Sequence, residues 1–466
     1  MQDNNINDII CAISSAPGMG AIAIIRLSGN GCINLTDKVF MSPFGKRLED
    51  TKANTITFGR IISNKEVLDE VLISVFRAPH SFTGEESVEI SCHGSTYIQQ
   101  KIIEVLLDVG ARLALPGEFT RRSFKNGKFD LSQAEAVADL ISSTSKASHR
   151  VAMNQMRGGF TEKLRNLRDK LLQFVSLIEL ELDFSEEDVE FANRNQLYEF
   201  TEDIAEKISS LANSFQLGNA IKNGIPIAII GETNAGKSTL LNFLLDEDKA
   251  IVSDIHGTTR DVVEDTVYID GIQFRFIDTA GIRDTTDTIE AMGIERTFQK
   301  IEQASVVLWV IDLTSPDNKL SSLSDIIRPK LKDKETILVF NKSDLIDDSE
   351  KSRKEKLFPN TYSEKVFVSA KNRTNTDKLQ DMLIKAAHIP KISENDVVVT
   401  NLRHYESLKN ALSAIERVKE GLDNELSGDF LSQDIRECMF YLGEITGQIS
   451  TDEILGNIFS KFCIGK

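Results

Sequence analysis

Residues 225–238 read IPIAIIGETNAGKS, an apolar run that leads directly into the pattern G-x-x-x-x-G-K-[ST]. A buried strand followed by this pattern is typical of a phosphate loop, in which glycines let backbone N–H groups turn towards phosphates. Lys237 would reach the β- and γ-phosphates, and the Ser238 hydroxyl would hold Mg²⁺. The stretch therefore predicts a site for a nucleoside triphosphate; the alternative is a chance match to one motif.

Four further motifs follow in the order expected of a GTPase. Residues 336–340 (TILVF) lead into NKSD at 341–344, where the Asp344 carboxylate can accept from both N–H donors of guanine. Adenine presents the opposite donor pattern and would leave that carboxylate unpaired, so GTP is favoured over ATP. The other motifs are GTTRD at 257–261, DTAG at 278–281 and SAK at 369–371. A phosphate loop that binds another nucleotide remains the alternative.

These motifs predict a set of GTP-binding residues. They are Asn234, Ala235, Gly236, Lys237, Ser238 and Thr239 in the phosphate loop, Gly257, Thr258 and Thr259 in the second motif, Asp278, Thr279, Ala280 and Gly281 in the third, Asn341, Lys342 and Asp344 in the fourth, and Ser369, Ala370 and Lys371 in the fifth.

Two positions in the GTPase segment are unusual. Many switch GTPases carry a Gln just after D-x-x-G to orient the attacking water, but Ile282 stands there and can neither donate nor accept. Acidic residues in the stretch that follows, Asp287, Glu290 and Glu295, are the candidates for this task, and the alternative is that they are exposed helix charges. Asn234 could bind K⁺ near the phosphates, or simply hydrogen-bond within its own loop.

Composition limits the class of protein further. The chain has 466 residues, enough for two to four domains, and a formal net charge of −17. Such a charge argues against broad binding to nucleic acid through its phosphates, so RNA contacts would be local. The cysteines are scattered, without a C-x-x-C pair, and predict neither a disulfide framework nor a zinc site. A cytoplasmic protein without a membrane span is expected.

The pattern of apolar residues changes along the chain. Residues 1 to about 120 alternate strand-like and turn-like pieces, which predicts an α/β or α+β domain. From residue 132 to about 217, and again after residue 396, long amphipathic runs predict helices. The simplest arrangement is a helical domain interrupted by the GTPase segment, because the ends of a domain often lie close together.

Five short blocks outside the GTPase motifs carry a specific resemblance. They are LPGEFTRR at 115–122, NGKFDL at 126–131, QAEA at 133–136, LGEITG at 442–447 and FSKFCIGK at 459–466. With the GTPase motifs, they make the chain closely similar to the tRNA modification GTPase MnmE (TrmE) family over its whole length. Glu232 and Thr233 stand where Arg-Pro is familiar, and Glu232 would place a negative charge near the phosphates.

The resemblance implies a multidomain α/β plus all-α architecture. Residues 1–121 would form an α/β tetrahydrofolate-binding and dimerisation domain, residues 122–219 and 389–466 a discontinuous helical domain, and residues 220–388 an inserted Ras-like G domain. The homodimer would join an MnmG (GidA)-like flavoprotein in a heterotetramer. Together they would add an aminomethyl or carboxymethylaminomethyl group to C5 of the wobble uridine, U34, of certain tRNAs, with FAD and NADH on the partner alone.

The resemblance also assigns roles to particular residues. A 5-formyl- or methylene-tetrahydrofolate would contact Arg26, Glu89, Lys128 and Lys466. Potassium would bind Asn234, Ser253, Ile255 and Thr258, with Asp254 and His256 also beside GTP, and Mg²⁺ would bind Ser238 and Thr259. Glu290 would position the attacking water, and Cys463 is a candidate nucleophile. For the folate residues the alternative is an ordinary surface charge, and for Cys463 an inert thiol.

Two other functional interpretations remain open at this point. One is a potassium-dependent GTPase for ribosome assembly or signalling, without modification chemistry. The other is a folate-dependent one-carbon enzyme in which the G domain is only regulatory. The basic residues Arg121, Arg122, Lys125 and Lys128 could contact tRNA or folate, but a solvated helix face is expected for all of them except Lys128.

Overall fold

The computed structural model describes residues 8–183, 194–248, 265–277, 290–332, 334–358, 364–388, 397–449, 452–460, 462 and 465. The chain forms two compact units. The first comprises Met1–Ile141, Met153–Glu206 and Ser407–Lys466, and the second comprises Ser142–Ala152 and Lys207–Glu406. Among the described residues, no helix combines the length and the apolar character needed to cross a bilayer.

The described strands and helices follow the order of the chain. The strands are β1 (Ile10–Ile13), β2 (Ile22–Ser28), β3 (Phe40–Met41), β4 (Thr55–Ser63), β5 (Glu66–Phe76), β6 (Ser87–His93), β7 (Arg112–Leu113), β8 (Ile225–Gly231), β9 (Asp265–Ile269), β10 (Ile272–Phe276), β11 (Val306–Asp312), β12 (Glu335–Asn341) and β13 (Glu364–Phe367). The helices are α1 (Cys32–Asp37), α2 (Thr96–Asp108), α3 (Glu118–Lys125), α4 (Leu131–Ser142), α5 (Lys146–Met156), α6 (Gly159–Asp183), α7 (Arg194–Asn223), α8 (Lys237–Asp248), α9 (Glu290–Gln303), α10 (Asp317–Ile327), α11 (Asp348–Glu355), α12 (Thr376–Ala386), α13 (Leu402–Asp423), α14 (Gly428–Thr446) and α15 (Asp452–Ser460).

The first unit contains a seven-stranded sheet of order β3-β4-β5-β6-β2-β1-β7. Its strand pairs are antiparallel except for β1 and β7, which are parallel. Alternate residues of β6 show why the sheet has two different faces: Val88, Ile90 and Cys92 are buried in the core, whereas Glu89 and Ser91 point the other way and are half-buried. Helices α1 and α2 contribute further buried residues to that core.

Helices α3 and α4 of the first unit pack against the C-terminal helix α15. Asp130 begins α4 with a reciprocal capping box, since Gln133 N–H donates to Asp130 Oδ1 and Asp130 N–H donates to Gln133 Oε1. Gly117, at the start of α3, lies so close to α15 that a Cβ there would come within 2.6 Å of the Phe459 carbonyl oxygen. The block LPGEFTRR therefore packs directly on the C-terminal helix.

The second unit contains a six-stranded sheet of order β13-β12-β11-β8-β10-β9. Of its described strand pairs, only the hairpin of β9 and β10 is antiparallel. Strand β11 is buried along its full length, because helices cover both faces of the sheet. In such a sheet the loops at the carboxyl ends of the strands form the binding site.

The segments that enter and leave the G-domain region lie side by side within the second unit. Val399 N–H donates to Ser214 Oγ at 3.0 Å, and the rings of Phe215 and Tyr405 stack with centroids 4.6 Å apart. An inserted domain requires this proximity of its ends. The predicted fold class, an α/β N-terminal domain, a helical domain and a Ras-like G domain, is confirmed; the domain boundaries at residues 121, 219 and 388 stay predictions.

Candidate nucleotide site

The phosphate loop connects β8 to α8, and its glycines are required by close contacts. Gly231 has φ +142°, and a Cβ there would lie 2.2 Å from the Val310 carbonyl oxygen. Gly236 has φ +93°, and a Cβ there would lie 2.1 Å from Asn341 Nδ2. Both distances are shorter than any real side chain tolerates, so the loop can follow this path only with glycine at these two positions.

Lys237 bonds back to the loop that precedes it. Its Nζ donates to the carbonyl oxygens of Gly231 at 2.9 Å and Glu232 at 2.6 Å. Burial, reinforced by the positive charge of Lys300, lowers the pKa of Lys237 to about 8. A buried ammonium that holds carbonyl oxygens would gain strongly from an anionic partner, as the predicted phosphate contact requires.

Asn341 joins three of the predicted motifs. Its Nδ2 donates to the Ala235 carbonyl oxygen at 2.8 Å, and its Oδ1 accepts from Ala370 N–H at 3.0 Å. Asn341 is buried, so these bonds fix the phosphate loop, the NKSD loop and the SAK loop relative to one another. The structure thus brings together residues that are far apart in the sequence.

Asp344 presents an exposed carboxylate beside this junction. A hydrogen bond from the Ser369 side chain, aided by one from Asn372 at 3.0 Å, holds the pKa of Asp344 below its usual value. The carboxylate is therefore ionised and can accept two hydrogen bonds from guanine. The neighbouring Lys342 pairs with Asp312 at 2.6 Å, which fixes the start of this loop.

Glu232 does not leave an unpaired charge in the phosphate loop. Its Oε2 lies 3.1 Å from Lys319 Nζ on α10 and accepts from Ser315 Oγ at 3.1 Å, and the side chain is 9% exposed. The sequence predicted a negative charge near the phosphates at this position. Lys319, which lies outside the phosphate loop, compensates that charge through the ion pair.

The remaining predicted nucleotide residues divide into described and undescribed ones. Asn234 is exposed with φ +64°, and its side chain makes no hydrogen bond within the described ranges. Ser238 lies in the first turn of α8, and Thr239 is exposed. Glu290 is the first residue of α9, with its side chain outside the described part. Also outside it lie Ser253, Asp254, Ile255, His256, Gly257, Thr258, Thr259, Asp278, Thr279, Ala280 and Gly281.

A second polar site lies on the N-terminal sheet. Arg26 Nε donates to Glu89 Oε1 at 3.0 Å, and the guanidinium lies over the Phe82 and Phe119 rings, 5.2 and 5.7 Å from their centroids. Two of the predicted folate residues therefore contact each other. Lys128 Nζ donates instead to the Pro79 carbonyl oxygen at 3.1 Å.

The C-terminal tail approaches the same sheet. Cys463 and Lys466 lie outside the described residues, but Gly465 is described, and its carbonyl oxygen accepts from Ser14 Oγ at 3.0 Å. A Cβ at Gly465 would lie 2.2 Å from the Ile13 carbonyl oxygen, so only glycine permits this approach.

The expectation that Arg122 lies on a solvated helix face was wrong. Its side chain is 5% exposed and pairs with Glu85 at 3.0 Å and with Glu118 at 3.2 Å. Arg112 pairs with Glu118 as well, at 2.6 Å. Glu118 lies four residues before Arg122 on the same helix, α3, but the charge pattern of that helix could not reveal Glu85, which lies between β5 and β6.

The phosphate loop, the ionised Asp344 and the Asn341 junction define a GTPase of the P-loop class. Two family models match the chain: the MnmE helical domain over residues 131–463 and the GTP-binding protein TrmE N-terminus over residues 9–128. The chain therefore belongs to the tRNA modification GTPase MnmE family.

Individual relatives agree with this assignment. The tRNA modification GTPase MnmE of Bacteroides thetaiotaomicron is 60% identical over 98% of this chain and 99% of its own length. That of Parabacteroides distasonis is 56% identical over 98% and 99%. Among solved structures, Era in complex with MgGDPNP and a segment of 16S ribosomal RNA is 30% identical, with a TM-score of 0.26, over 41% of this chain and 66% of that one.

Proposed function

We propose that this chain is a potassium-dependent GTPase that, with an MnmG-like flavoprotein, adds an aminomethyl or carboxymethylaminomethyl group to C5 of U34 in certain tRNAs in the cytoplasm. The observation that carries the proposal is a second polar site outside the G domain. Arg26 and Glu89 pair on the outward face of the N-terminal sheet, and Gly465 of the C-terminal tail is bonded to the same sheet. An assembly GTPase would need neither feature.

The N-terminal site fits a tetrahydrofolate derivative by the chemistry of its donors. The half-buried Arg26 and Glu89 can exchange their mutual bond for a ligand carbonyl or carboxylate and for the N–H donors of a pterin. The Phe82 and Phe119 rings beside Arg26 supply an apolar wall for a flat ring. Lys128, Lys466 and the Cys463 thiol complete the proposed site. The flavoprotein would supply the redox steps through its own FAD and NADH.

In the G domain, Ser238 and Thr259 would hold Mg²⁺, and Asn234, Ser253, Ile255 and Thr258 would hold K⁺, which offsets charge on the phosphates. The exposed Asn234 supports this assignment, because its amide makes no hydrogen bond that would occupy it within the described ranges. We further propose that the G domains of the two subunits meet across GTP and that this contact positions Glu290.

The potassium proposal predicts a cation effect on hydrolysis. GTP hydrolysis measured by phosphate release at matched ionic strength should be at least about 10-fold faster in KCl than in NaCl, because the ion stabilises charge that develops in the transition state. The variant Asn234→Ala should lose most of this difference while it retains GTP affinity. Equal rates in the two salts would exclude a role for potassium.

The homodimer is supported by an apolar patch on the outward face of the N-terminal sheet. Ile56, Phe58 and Leu72 are 67%, 45% and 46% exposed, and Phe58 lies directly opposite Leu72 across β4 and β5. The ion pair Arg60–Glu70 borders the patch. Apolar side chains clustered at the surface and rimmed by polar ones are typical of a protein interface, here with a second copy of the chain.

We expect the double variant Phe58→Glu/Leu72→Glu to sediment as a monomer at concentrations where the unsubstituted chain is a dimer, since two carboxylates would be buried without partners. The matched control is Leu345→Glu, which changes an exposed leucine in the second unit. It should remain a dimer. A dimeric double variant would place the interface elsewhere.

A further inference from the structure

Asp69 and His93 form a pair at the end of β6, and neither of them is one of the predicted site residues. His93 Nδ1 lies 2.6 Å from Asp69 Oδ1, and His93 backbone N–H donates to Asp69 Oδ2 at 2.8 Å. The Asp69 side chain is 7% exposed, whereas that of His93 is 68% exposed. Both oxygens of a buried carboxylate are therefore occupied by a single, solvent-facing histidine.

This geometry fixes the tautomer of the imidazole. In a neutral imidazole, a carboxylate beside Nδ1 selects the tautomer with the proton on Nδ1, which leaves the lone pair on Nε2. His93 Nε2 has no hydrogen-bond partner among the residues described. A carboxylate that orients a histidine in this way is the arrangement found behind histidine general bases. A purely structural role for Asp69 would need only one carboxylate oxygen, which accepts from the His93 backbone N–H because the pairing of β5 with β6 ends at Leu72 and Ser91.

The pair lies on the same sheet face as the proposed folate site. His93 stands opposite Ile22, Ser91 opposite Ile24, and Glu89 opposite Arg26 in the register of β6 with β2. At about 3.4 Å per residue, His93 is about 14 Å along the strand from Glu89, so a pterin whose N–H edge is held at Glu89 would extend along this row towards His93.

The C-terminal tail is attached between these two points. Ser14 N–H donates to the Ile24 carbonyl oxygen at 2.8 Å, and Ser14 Oγ donates to the Gly465 carbonyl oxygen at 3.0 Å. Gly465 is therefore held beside the cross-strand pair of Ile24 and Ser91, which lies between Arg26 and His93 on this sheet face. Three independent parts of the chain, β2, β6 and the tail, converge on one face.

We propose that His93, oriented by Asp69, is the proton-transfer residue for a tetrahydrofolate-type ligand bound across this face; the inference rests on the proposed function. Guanidinium, ammonium and carboxylate groups hold their charge near neutral pH, whereas imidazole exchanges a proton there. His93 Nε2 would accept a proton from a ring nitrogen of the bound ligand, and the electron pair of the broken N–H bond would stay on that nitrogen. The imidazolium keeps its Nδ1–H on Asp69 and later returns the proton to the ligand.

The test uses the full chain, the variants H93Q and D69N, and the probe 5-formyltetrahydrofolate. The matched control is H388Q, because His388 is also exposed and pairs with a carboxylate, Glu335, at 3.1 Å. Calorimetry measures the affinity for the probe, and ¹⁵N NMR follows the ring nitrogens of His93. The rate of tRNA modification is measured in the presence of the flavoprotein partner. Thermal midpoints check that the variants fold.

We expect the probe to shift the Nε2 signal of His93 in the unsubstituted chain, and D69N to alter the tautomer before any probe is added. H93Q should slow modification by about 100-fold or more, and D69N by about 10–100-fold. GTP hydrolysis and probe binding should persist in both, and H388Q should behave as the unsubstituted chain.

A bound probe that leaves the Nε2 signal unchanged, or H93Q that modifies tRNA at the control rate, would overturn this inference alone. Failure of the unsubstituted chain to bind the probe would overturn the proposed folate function together with it. Should H93Q fail to fold, the NMR titration of the unsubstituted chain and the D69N rate decide the question.

Discussion

Replacement of Asp344 by Asn should transfer nucleotide preference from GTP to xanthosine triphosphate. The ionised carboxylate accepts two N–H bonds from guanine, whereas an amide offers one donor and one acceptor. Two hydrogen bonds to a charged group contribute about 1.5–3 kcal/mol each, so GTP affinity should fall by about 100-fold or more. Xanthine presents a carbonyl in place of the exocyclic amine, and the amide nitrogen can donate to it.

Competition between fluorescent nucleotide and unlabelled GTP or xanthosine triphosphate measures this change directly. The matched control is Asp348→Asn, which removes a nearby carboxylate at the start of α11 that is 95% exposed and pairs with Lys351. The control should bind GTP normally. Unchanged GTP affinity in Asp344→Asn would show that guanine is recognised elsewhere.

Replacement of Glu290 by Ala should abolish hydrolysis but not binding. Ile282 cannot orient a water molecule, so the proposed account places that task on Glu290, the first residue of α9. Loss of the group that orients and polarises the attacking water lowers kcat by about 100-fold or more. GTP affinity should stay within about twofold, because the phosphate loop and Asp344 are untouched.

Filter binding and phosphate release, measured together, separate these effects. Glu302→Ala changes another glutamate of the same helix, one that is exposed, and should hydrolyse GTP at the normal rate. If Glu290→Ala hydrolysed GTP at the normal rate, a different residue would have to orient the attacking water. A parallel loss of affinity would mean that Glu290 holds the nucleotide rather than the water.

The loops of the candidate nucleotide site were predictable because short contiguous motifs specify each of them. G-x-x-x-x-G-K-S and N-K-S-D each fix their own loop, and a parallel sheet brings such loops to one edge. The sequence could not show that Asn341 holds the phosphate loop through Ala235, or that Lys319 compensates Glu232, since both contacts join distant segments.

The N-terminal sheet was only partly predictable, for a physical reason. Strands β2, β5 and β6 bury apolar residues at alternate positions, such as Ile25, Ile73 and Ile90, in agreement with the strand-like pieces that the sequence indicated in this region. In strand β4 the alternation is inverted, because the apolar Ile56 and Phe58 are exposed whereas Thr57 is half-buried and Gly59 is buried, so residue type did not indicate which side faces the core. The same property marks that strand as part of the proposed dimer interface.

The side-chain partners of single charges were the least predictable features. The sequence alone does not indicate a role for His93, because the proposed role depends on its contact with Asp69, which lies in a different strand. Arg122 likewise looked solvated until its partners Glu85 and Glu118 were placed around it. Residue type alone cannot decide such cases, because burial and pairing are set by tertiary contacts.

The most direct test of the central claim is mass spectrometry of tRNA nucleosides. It compares a strain that lacks this gene with strains that carry the intact gene or its Glu290→Ala variant. We expect 5-aminomethyl-type uridines to be lost in the deletion, restored by the intact gene and not restored by the variant. Unchanged nucleosides in the deletion strain would contradict the account and would favour a GTPase that acts in ribosome assembly or signalling.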